Sequence, residues 1–268
     1  MRIGNKQFDI GNHTYVMGIL NVTPDSFSDG GRYNTLDAAL KHAEKMVSDG
    51  ADIIDVGGES TKPGYRPVSV EEQIERVIPV IEKIKSNFDI PVSIDTYKAE
   101  VAFESVKAGC DLVNDIWALR DSKKMAELVA NNDLACVLMH NRDKIDYNDF
   151  RAEVLADLSS YIESAVASGI PKEKIIVDPG IGFGKTYEQN LCIIHNVDDL
   201  HDLGCPILIG TSRKSVIGLT LDLPIFERVE GTIATTVVAC MKGVSFVRVH
   251  DVKENVRAIR MTEAIIKA

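Results

Sequence analysis

The chain has 268 residues, 45% hydrophobic and 26% charged, an ordinary globular composition that needs neither disulfides nor a structural metal to hold a core. Its 30 Lys and Arg against 40 Asp and Glu give a net charge of −10, which repels nucleic acid and anionic membrane surfaces. No apolar run approaches the roughly 18 to 20 residues of a spanning helix, residues 1–12 lack a signal peptide's apolar centre, and five scattered cysteines form no C-x-x-C pair, so a cytoplasmic protein with reduced thiols is expected.

In chain order, Met1 to Asn12 predict a short N-terminal β-hairpin, followed by eight repeats of an apolar strand-like run and a stretch of helical period. The first strand is read over Tyr15 to Leu20, and Leu36, Ala39, Leu40, Ala43, Met46 and Val47 form the stripe of its helix. The second is Asp52 to Val56; its helix carries Ile74, Val77, Ile78 and Ile81 after a capping box of Ser69 and Glu72. Then come Val92 to Ile94 with a helix at 98–108, Leu112 to Val113 with 122–131, and Leu134 to Met139 with 150–168. The last three are Lys174 to Val177 with 188–202, Pro206 to Ile209 with 225–241, and Phe246 to Val249 with 252–267. Most runs lack strict alternation, as parallel strands covered on both faces do. An α/β fold follows, a (β/α)8 TIM barrel behind a short N-terminal β-hairpin, with 1–268 as a single barrel domain. A doubly wound open sheet is the alternative that periodicity leaves open.

Two connections, Asn21 to Asn34 and Gly57 to Val68, exceed the usual length and are rich in Gly, Pro, Ser and Thr, as functional loops are. A barrel gathers the C-terminal ends of its strands at one mouth, so polar residues just after the apolar runs are site candidates. Nearly every run has one: Asn21, Glu59 with Thr61, Asp95, Asn114 with Asp115, His140, Asp178, Arg213 with Lys214 and Ser215, and Arg248 with His250. Each alone is explained by a cap or a turn; eight in register are not so easily explained. Asp95, Asn114 and Asp178 suit a neutral ligand rich in N–H donors, whereas Lys214, Arg248 and His250 suit an anion such as phosphate. Arg248 and His250, two apart on one strand, share a face.

Other chemistries lack support. Residues 180–186 fail both phosphate-loop patterns, Ser212 lacks a nucleophile elbow, and the six histidines have no H-E-x-x-H spacing. The glycines of 180–184 suit a turn that lets backbone approach a flat ligand.

The segments MGILNVTPDSFSDGG (17–31), GGESTKPG (57–64), SIDTYK (93–98), VNDIW (113–117), LMH (138–140), DPGIGFGKT (178–186), GTSRKS (210–215) and RVHDV (248–252) together resemble the dihydropteroate synthase family of pterin-binding enzymes. That resemblance implies a barrel that joins 6-hydroxymethyl-7,8-dihydropterin pyrophosphate to 4-aminobenzoate, giving 7,8-dihydropteroate and pyrophosphate on the way to folate. It implies a pterin pocket of Asp95, Asn114, Ile116, Met139, Asp178, Gly210 and Lys214, and a diphosphate site of Asn21, Thr61, Arg248 and His250 with Mg2+ at Asn21. Aminobenzoate would meet Thr61, Pro63, Phe183, Arg213 and Ser215. A homodimer through the outer helices is implied, with small-molecule substrates and no nucleic-acid or membrane partner. No covalent or dedicated acid–base residue is required, because an aromatic amine is neutral at pH 7 and the pyrophosphate leaves as an anion. Lys62, Tyr65 and Ala118 depart from the expected pattern and leave aminobenzoate contacts open. Two rivals are a pterin-binding methyltransferase half that serves a corrinoid protein, for which the diphosphate grip has no use, and a non-catalytic pterin binder, for which two long loops have none.

Overall fold

A computed structural model describes residues 1–22, 32–59 and 68–268, without the side chains of 32–35. Strands β1 (Arg2–Ile3) and β2 (Lys6–Gln7) form the antiparallel hairpin. Eight parallel strands follow: β3 (Tyr15–Asn21), β4 (Ile53–Gly57), β5 (Val92–Asp95), β6 (Leu112–Asp115), β7 (Ala135–Met139), β8 (Ile175–Asp178), β9 (Leu208–Ile209) and β10 (Phe246–Val249). Their order around the sheet is β8-β7-β6-β5-β4-β3-β10-β9. A Val177–Ile207 bridge joins β8 to the chain just before β9, with the Val177 N–H donating to the Pro206 carbonyl at 2.9 Å, so the barrel nearly closes. An open doubly wound sheet would leave those two edges apart.

The helices between the strands are α1 (Arg32–Asp49), α2 (Val70–Asn87), α3 (Ala99–Lys107), α4 (Lys123–Asn131), α5 (Phe150–Ala167), α6 (Tyr187–His195), α7 (Ser215–Leu221), α8 (Val229–Met241) and α9 (Val252–Ile266). Ser69 caps α2 by accepting the Glu72 N–H at 3.1 Å. The expected helix at 188–202 is two pieces: α6 ends where the Asn196 side chain donates to the Cys192 carbonyl, and 197–203 tightens to a 3₁₀ turn. The expected 225–241 helix begins at Val229, because residues 225–227 form a separate 3₁₀ turn after Pro224. Helix α7 has no counterpart in the sequence reading. Its seven residues contain Gly218 and follow directly on the polar run 213–215, so too few periodic positions remained to mark it.

The strands have two faces with different fates. Val16, Ile54, Val56, Val92, Ile94, Val113, Cys136, Leu138, Ile175, Val177, Val247 and Val249 pack with the helices in the larger core. The alternate residues face inward, and along the barrel axis their character changes. At the N-terminal end Met17, Ile53, Leu112, Ala135, Val137, Ile176, Leu208 and Phe246 form a separate apolar cluster, plugged by Ile3 and Phe8 of the hairpin segment. Phe8 packs edge-on to Tyr15, with ring centroids 4.8 Å apart. Two residues further along these strands the inward positions become Asp55, Asn114, Asp178 and Arg248. One end is therefore a floor and the other a mouth.

Candidate active site

Strand register builds the mouth. Asp95 pairs with Gly57 on one side and Asn114 on the other, and Met139 pairs with Asp178. The Asn114 side chain donates to Asp55 at 3.1 Å. Arg248 spans two carboxylates, its Nε donating to Asp55 at 2.6 Å and its Nη2 to Asp95 at 2.5 Å. Burial works against the Arg248 charge, but Asp55 and Asp95 outweigh it and hold the guanidinium above its ordinary value. Burial likewise lifts the Asp95 carboxyl to about 6, against the pull of Arg248. Asp55 lies within a strand, not after one, and the sequence reading missed it. An aspartate inside the apolar run IIDVG, on the same face as Ile53 and Gly57, was the available signal, because a buried carboxylate requires a partner.

Across the barrel, Asp178 accepts the Gly180 N–H at 2.7 Å, and burial raises its carboxyl against the opposing Lys214 charge. Lys214 donates to the Ile181 carbonyl and lies 4.7 Å above the centre of the Phe183 ring. Burial lowers its ammonium to about 8, with Asp178 and Asp95 opposing and Arg248 assisting. Gly210 faces the same space: a Cβ there would stand 3.8 Å from the Arg248 Cβ and 4.0 Å from the Lys214 Nζ. Met139 is buried, and Ile116 is partly exposed just after β6.

His250 is oriented by Ser212. The serine hydroxyl accepts the His250 backbone N–H at 3.1 Å and stands 2.9 Å from Nδ1. A hydroxyl carries one donor hydrogen and two acceptor lone pairs; when that hydrogen is on Nδ1, the neutral ring carries its own proton on Nε2. The sequence sets Ser212 in the run 212–215 but carries no sign that it orients His250. Arg213 adopts a left-handed backbone, φ 57°, and its guanidinium grips Asp251 bidentately at 3.0 and 2.6 Å. Ser215 is exposed at the start of α7.

Asp95, Asn114, Asp178, Gly210, Lys214, Arg248 and His250 thus share one end of the barrel, with Asn21 at the end of β3 beside Gly57. His140 does not join them. Met139 takes the inward position, so His140 turns outward, where its Nε2 meets Asp157 at 3.1 Å. Glu59 also serves structure: it accepts from Gln73, the Val68 N–H and Lys98, anchoring the start of α2. Thr61 and Pro63 lie outside the described residues, as do Lys62 and Tyr65.

Among the described residues no group of three or more His, Cys, Asp or Glu is arranged to hold a metal. Asn21 supplies a hard amide oxygen near Gly57 and Asp95. Such a sparse donor set fits Mg2+, which keeps several waters and takes phosphate oxygens, and does not fit a metal needing a full protein cage.

The model of the pterin-binding enzyme family matches residues 17–250. A dihydropteroate synthase from Clostridium beijerinckii is 58% identical over 268 residues, covering 100% of both chains. A crystal structure of dihydropteroate synthase from Clostridium difficile in the presence of pteroic acid is 54% identical, covers 98% of this chain and 100% of that one, and superposes with a TM-score of 0.95. The Xanthomonas albilineans enzyme in complex with 7,8-dihydropteroate is 40% identical over 97% of this chain and 96% of its own, with a TM-score of 0.90. The chain belongs to the dihydropteroate synthase family of pterin-binding enzymes.

Proposed function

We propose that the barrel mouth carries out this family's reaction with its tasks divided between two groups of side chains, within a chain that acts as one pterin-binding barrel domain. The chain is a transferase that joins 6-hydroxymethyl-7,8-dihydropterin pyrophosphate to 4-aminobenzoate, yielding 7,8-dihydropteroate and pyrophosphate for folate synthesis. Asp95, Asn114 and Asp178 accept from the N–H edge of the pterin, and Lys214 donates to its carbonyl or a ring nitrogen. Ile116 and Met139 pack on the ring, and Gly210 lets the backbone come close.

The diphosphate lies against Asn21, Thr61, Arg248 and His250. Asp55 and Asp95 use the Nε and one Nη2 donor of Arg248, and the rest of the fork suits phosphate oxygens. His250 supplies a second donor when its ring carries a proton on Nε2. Both act on charge that grows as pyrophosphate departs, so they lower the barrier rather than tighten ground-state binding alone. Asn21 would hold Mg2+, which when bound would neutralise diphosphate charge. The dihydropterin ring spreads the positive charge left on its exocyclic carbon, and the arylamine attacks without a dedicated base. Phe183, Pro63, Thr61, Arg213 and Ser215 place that amine, and positioning supplies much of the rate.

The observation that carries this reading is the convergence of Asp95, Asn114, Asp178 and Lys214 with Arg248 and His250 at one end of the barrel. Its test mixes the chain with dihydropterin pyrophosphate, Mg2+ and 4-aminobenzoate. Pyrophosphate release that depends on the amine is expected; a lack of it rejects the reading and leaves a methyl transferase or a binder.

The enzyme works as a cytoplasmic homodimer. Five free cysteines suit a reducing compartment, and among the described residues no helix is long and apolar enough to cross a membrane. Leu219, Leu221, Phe226, Val238 and Met241 expose large apolar groups on α7, α8 and the turn between them, with Phe226 82% exposed. An apolar face of that kind suits a second copy. Sedimentation should show a dimer that Phe226→Glu dissociates.

A further inference from the structure

Lys185 ends the loop after β8, and its ammonium is buried, 8% exposed. A buried lysine is costly unless every N–H finds an acceptor. Here the acceptors are the carbonyls of Phe183 at 2.9 Å and Gly180 at 3.1 Å and the His140 Nδ1 at 2.9 Å, with the His140 carbonyl at 3.4 Å. An ammonium can only donate, so His140 accepts on Nδ1 and carries its proton on Nε2, which donates to Asp157. Arg142 in turn holds Asp157 at 2.7 Å. The chain of bonds runs from the mouth loop to α5.

What this cation fastens is the segment 179–184, which lies tightly against residues 140–142. A Cβ on Gly180 would stand 2.0 Å from the His140 carbonyl oxygen, and one on Gly184 would stand 2.5 Å from that of Arg142. The segment's own groups form part of the pterin site: the Gly180 N–H donates to Asp178, the Ile181 carbonyl accepts from Lys214, and the Phe183 ring lies under that ammonium. We propose that Lys185 is a positioning residue for the pterin site, bolting the 179–184 segment to the chain after β7 so that Asp178 and Lys214 keep the separation a pterin ring requires. The inference rests on the reading of the mouth as a pterin site.

An apolar residue at 185 would fill the space but leave the Gly180 and Phe183 carbonyls and the His140 Nδ1 without their donor. The protonation state matters for the same reason. Burial brings the Lys185 ammonium down to about 7; Asp178 on β8 and Asp157 on α5 oppose this, and Lys214 before α7 and Arg142 after β7 assist. His140, pushed down to about 3 chiefly by burial, stays neutral throughout. Since the folded-state value is lowered, the ammonium is present below neutrality and is lost as pH rises past it. A neutral amine has two N–H donors for three close acceptors, the Gly180 and Phe183 carbonyls and the His140 Nδ1, so the loop loses a bond.

The experiment measures dihydropterin pyrophosphate binding by calorimetry, and steady-state kinetics, for the wild-type chain and for Lys185→Met. Expected is a Kd about tenfold higher in a variant that still melts cooperatively, with kcat at saturating substrates changed by less than about threefold. Ethylamine added to Lys185→Ala should recover part of the affinity. A folded Lys185→Met with wild-type Kd overturns the inference while the pterin reading stands; a wild-type chain that binds no pterin overturns both. Should the variants not fold, hydrogen exchange on the wild-type chain decides. Protection of the Gly180, Gly182 and Phe183 amides should fall relative to β4 between about pH 6 and about pH 8.5, and a constant ratio overturns the inference.

Discussion

The two ends of the barrel are made from the same eight strands and obey opposite rules. At the floor, Met17, Ile53, Leu112, Ile176, Leu208 and Phe246 meet Ile3 and Phe8, and nothing polar needs satisfying. Two residues along, the inward positions hold Asp55, Asn114, Asp178 and Arg248, each bonded to a neighbour. Among the described residues, Asp55 Oδ1 and Ser93 Oγ are nevertheless buried without a hydrogen-bond partner. Dispersion and water exclusion stabilise the floor, whereas the mouth holds charges in a dry place at some cost to folding. Stability should therefore respond to the floor and catalysis to the mouth.

Arg248 is where this division should break. It lies between the layers, and Arg248→Ala leaves the Asp55 and Asp95 carboxylates buried without their charge partner, a loss of about 3 to 5 kcal/mol by comparison with other broken buried pairs. In the proposed arrangement the same change removes a diphosphate donor. Both the melting midpoint and kcat/KM for the pterin pyrophosphate should fall, and a variant that loses only one of them would place Arg248 wholly in one layer. Phe8→Ala tests the floor alone. Emptying that plug should cost about 3 to 5 kcal/mol in denaturant unfolding while kcat/KM of the folded enzyme stays within about twofold. Asp178→Asn tests the mouth alone: it should lower kcat/KM by about a hundredfold through weaker pterin binding, with the melting midpoint nearly unmoved.

The division was only partly readable in the sequence. Eight strands announced themselves because parallel strands need unbroken β-branched runs, and the site residues after them stood out as polar breaks in those runs. Asp55 was hidden because it interrupts a run from within. Its role depends on Arg248, 193 positions away, and no local pattern carries that pairing. His140 misled for the complementary reason: it follows a strand, as site residues do, but one step of alternation turns it outward. Helix α7 was invisible because tertiary packing, not seven residues of periodicity, supports so short a helix.

Acidity sharpens the comparison further, because the floor has nothing to titrate. Burial raises Asp95 to about 6, above its ordinary 3.8, so its anionic form prevails above that value and is lost as pH falls through it. Lys214, lowered to about 8, is charged below that value and lost as pH rises through it. The profile of kcat/KM for the pterin pyrophosphate should be a bell, falling about tenfold per unit on the acid side of Asp95 and again on the basic side of Lys214, with a bounded loss near neutrality as Lys185 gives up its proton. Because Asp95 shares Arg248 with Asp55, the acid limb belongs to that group of charges. A profile flat from about pH 5 to about pH 9 would deny both residues a part in pterin binding.

The smallest effect should come from Ser212, which touches no substrate in the proposed arrangement and only sets the His250 ring. In Ser212→Ala the Nδ1 loses its donor, the ring is free to carry its proton on either nitrogen, and the backbone N–H of His250 loses an acceptor. One neutral hydrogen bond and a tautomer preference are worth about 1 kcal/mol, which predicts a loss of about fivefold in kcat/KM. The loss should appear with the diphosphate substrate and vanish when binding of a pterin lacking the diphosphate is measured, since the proposed arrangement sets His250 against the charged tail alone. Equal losses for both ligands would mean that Ser212 supports the strand end as a whole, and that the anion grip at His250 does not depend on its tautomer.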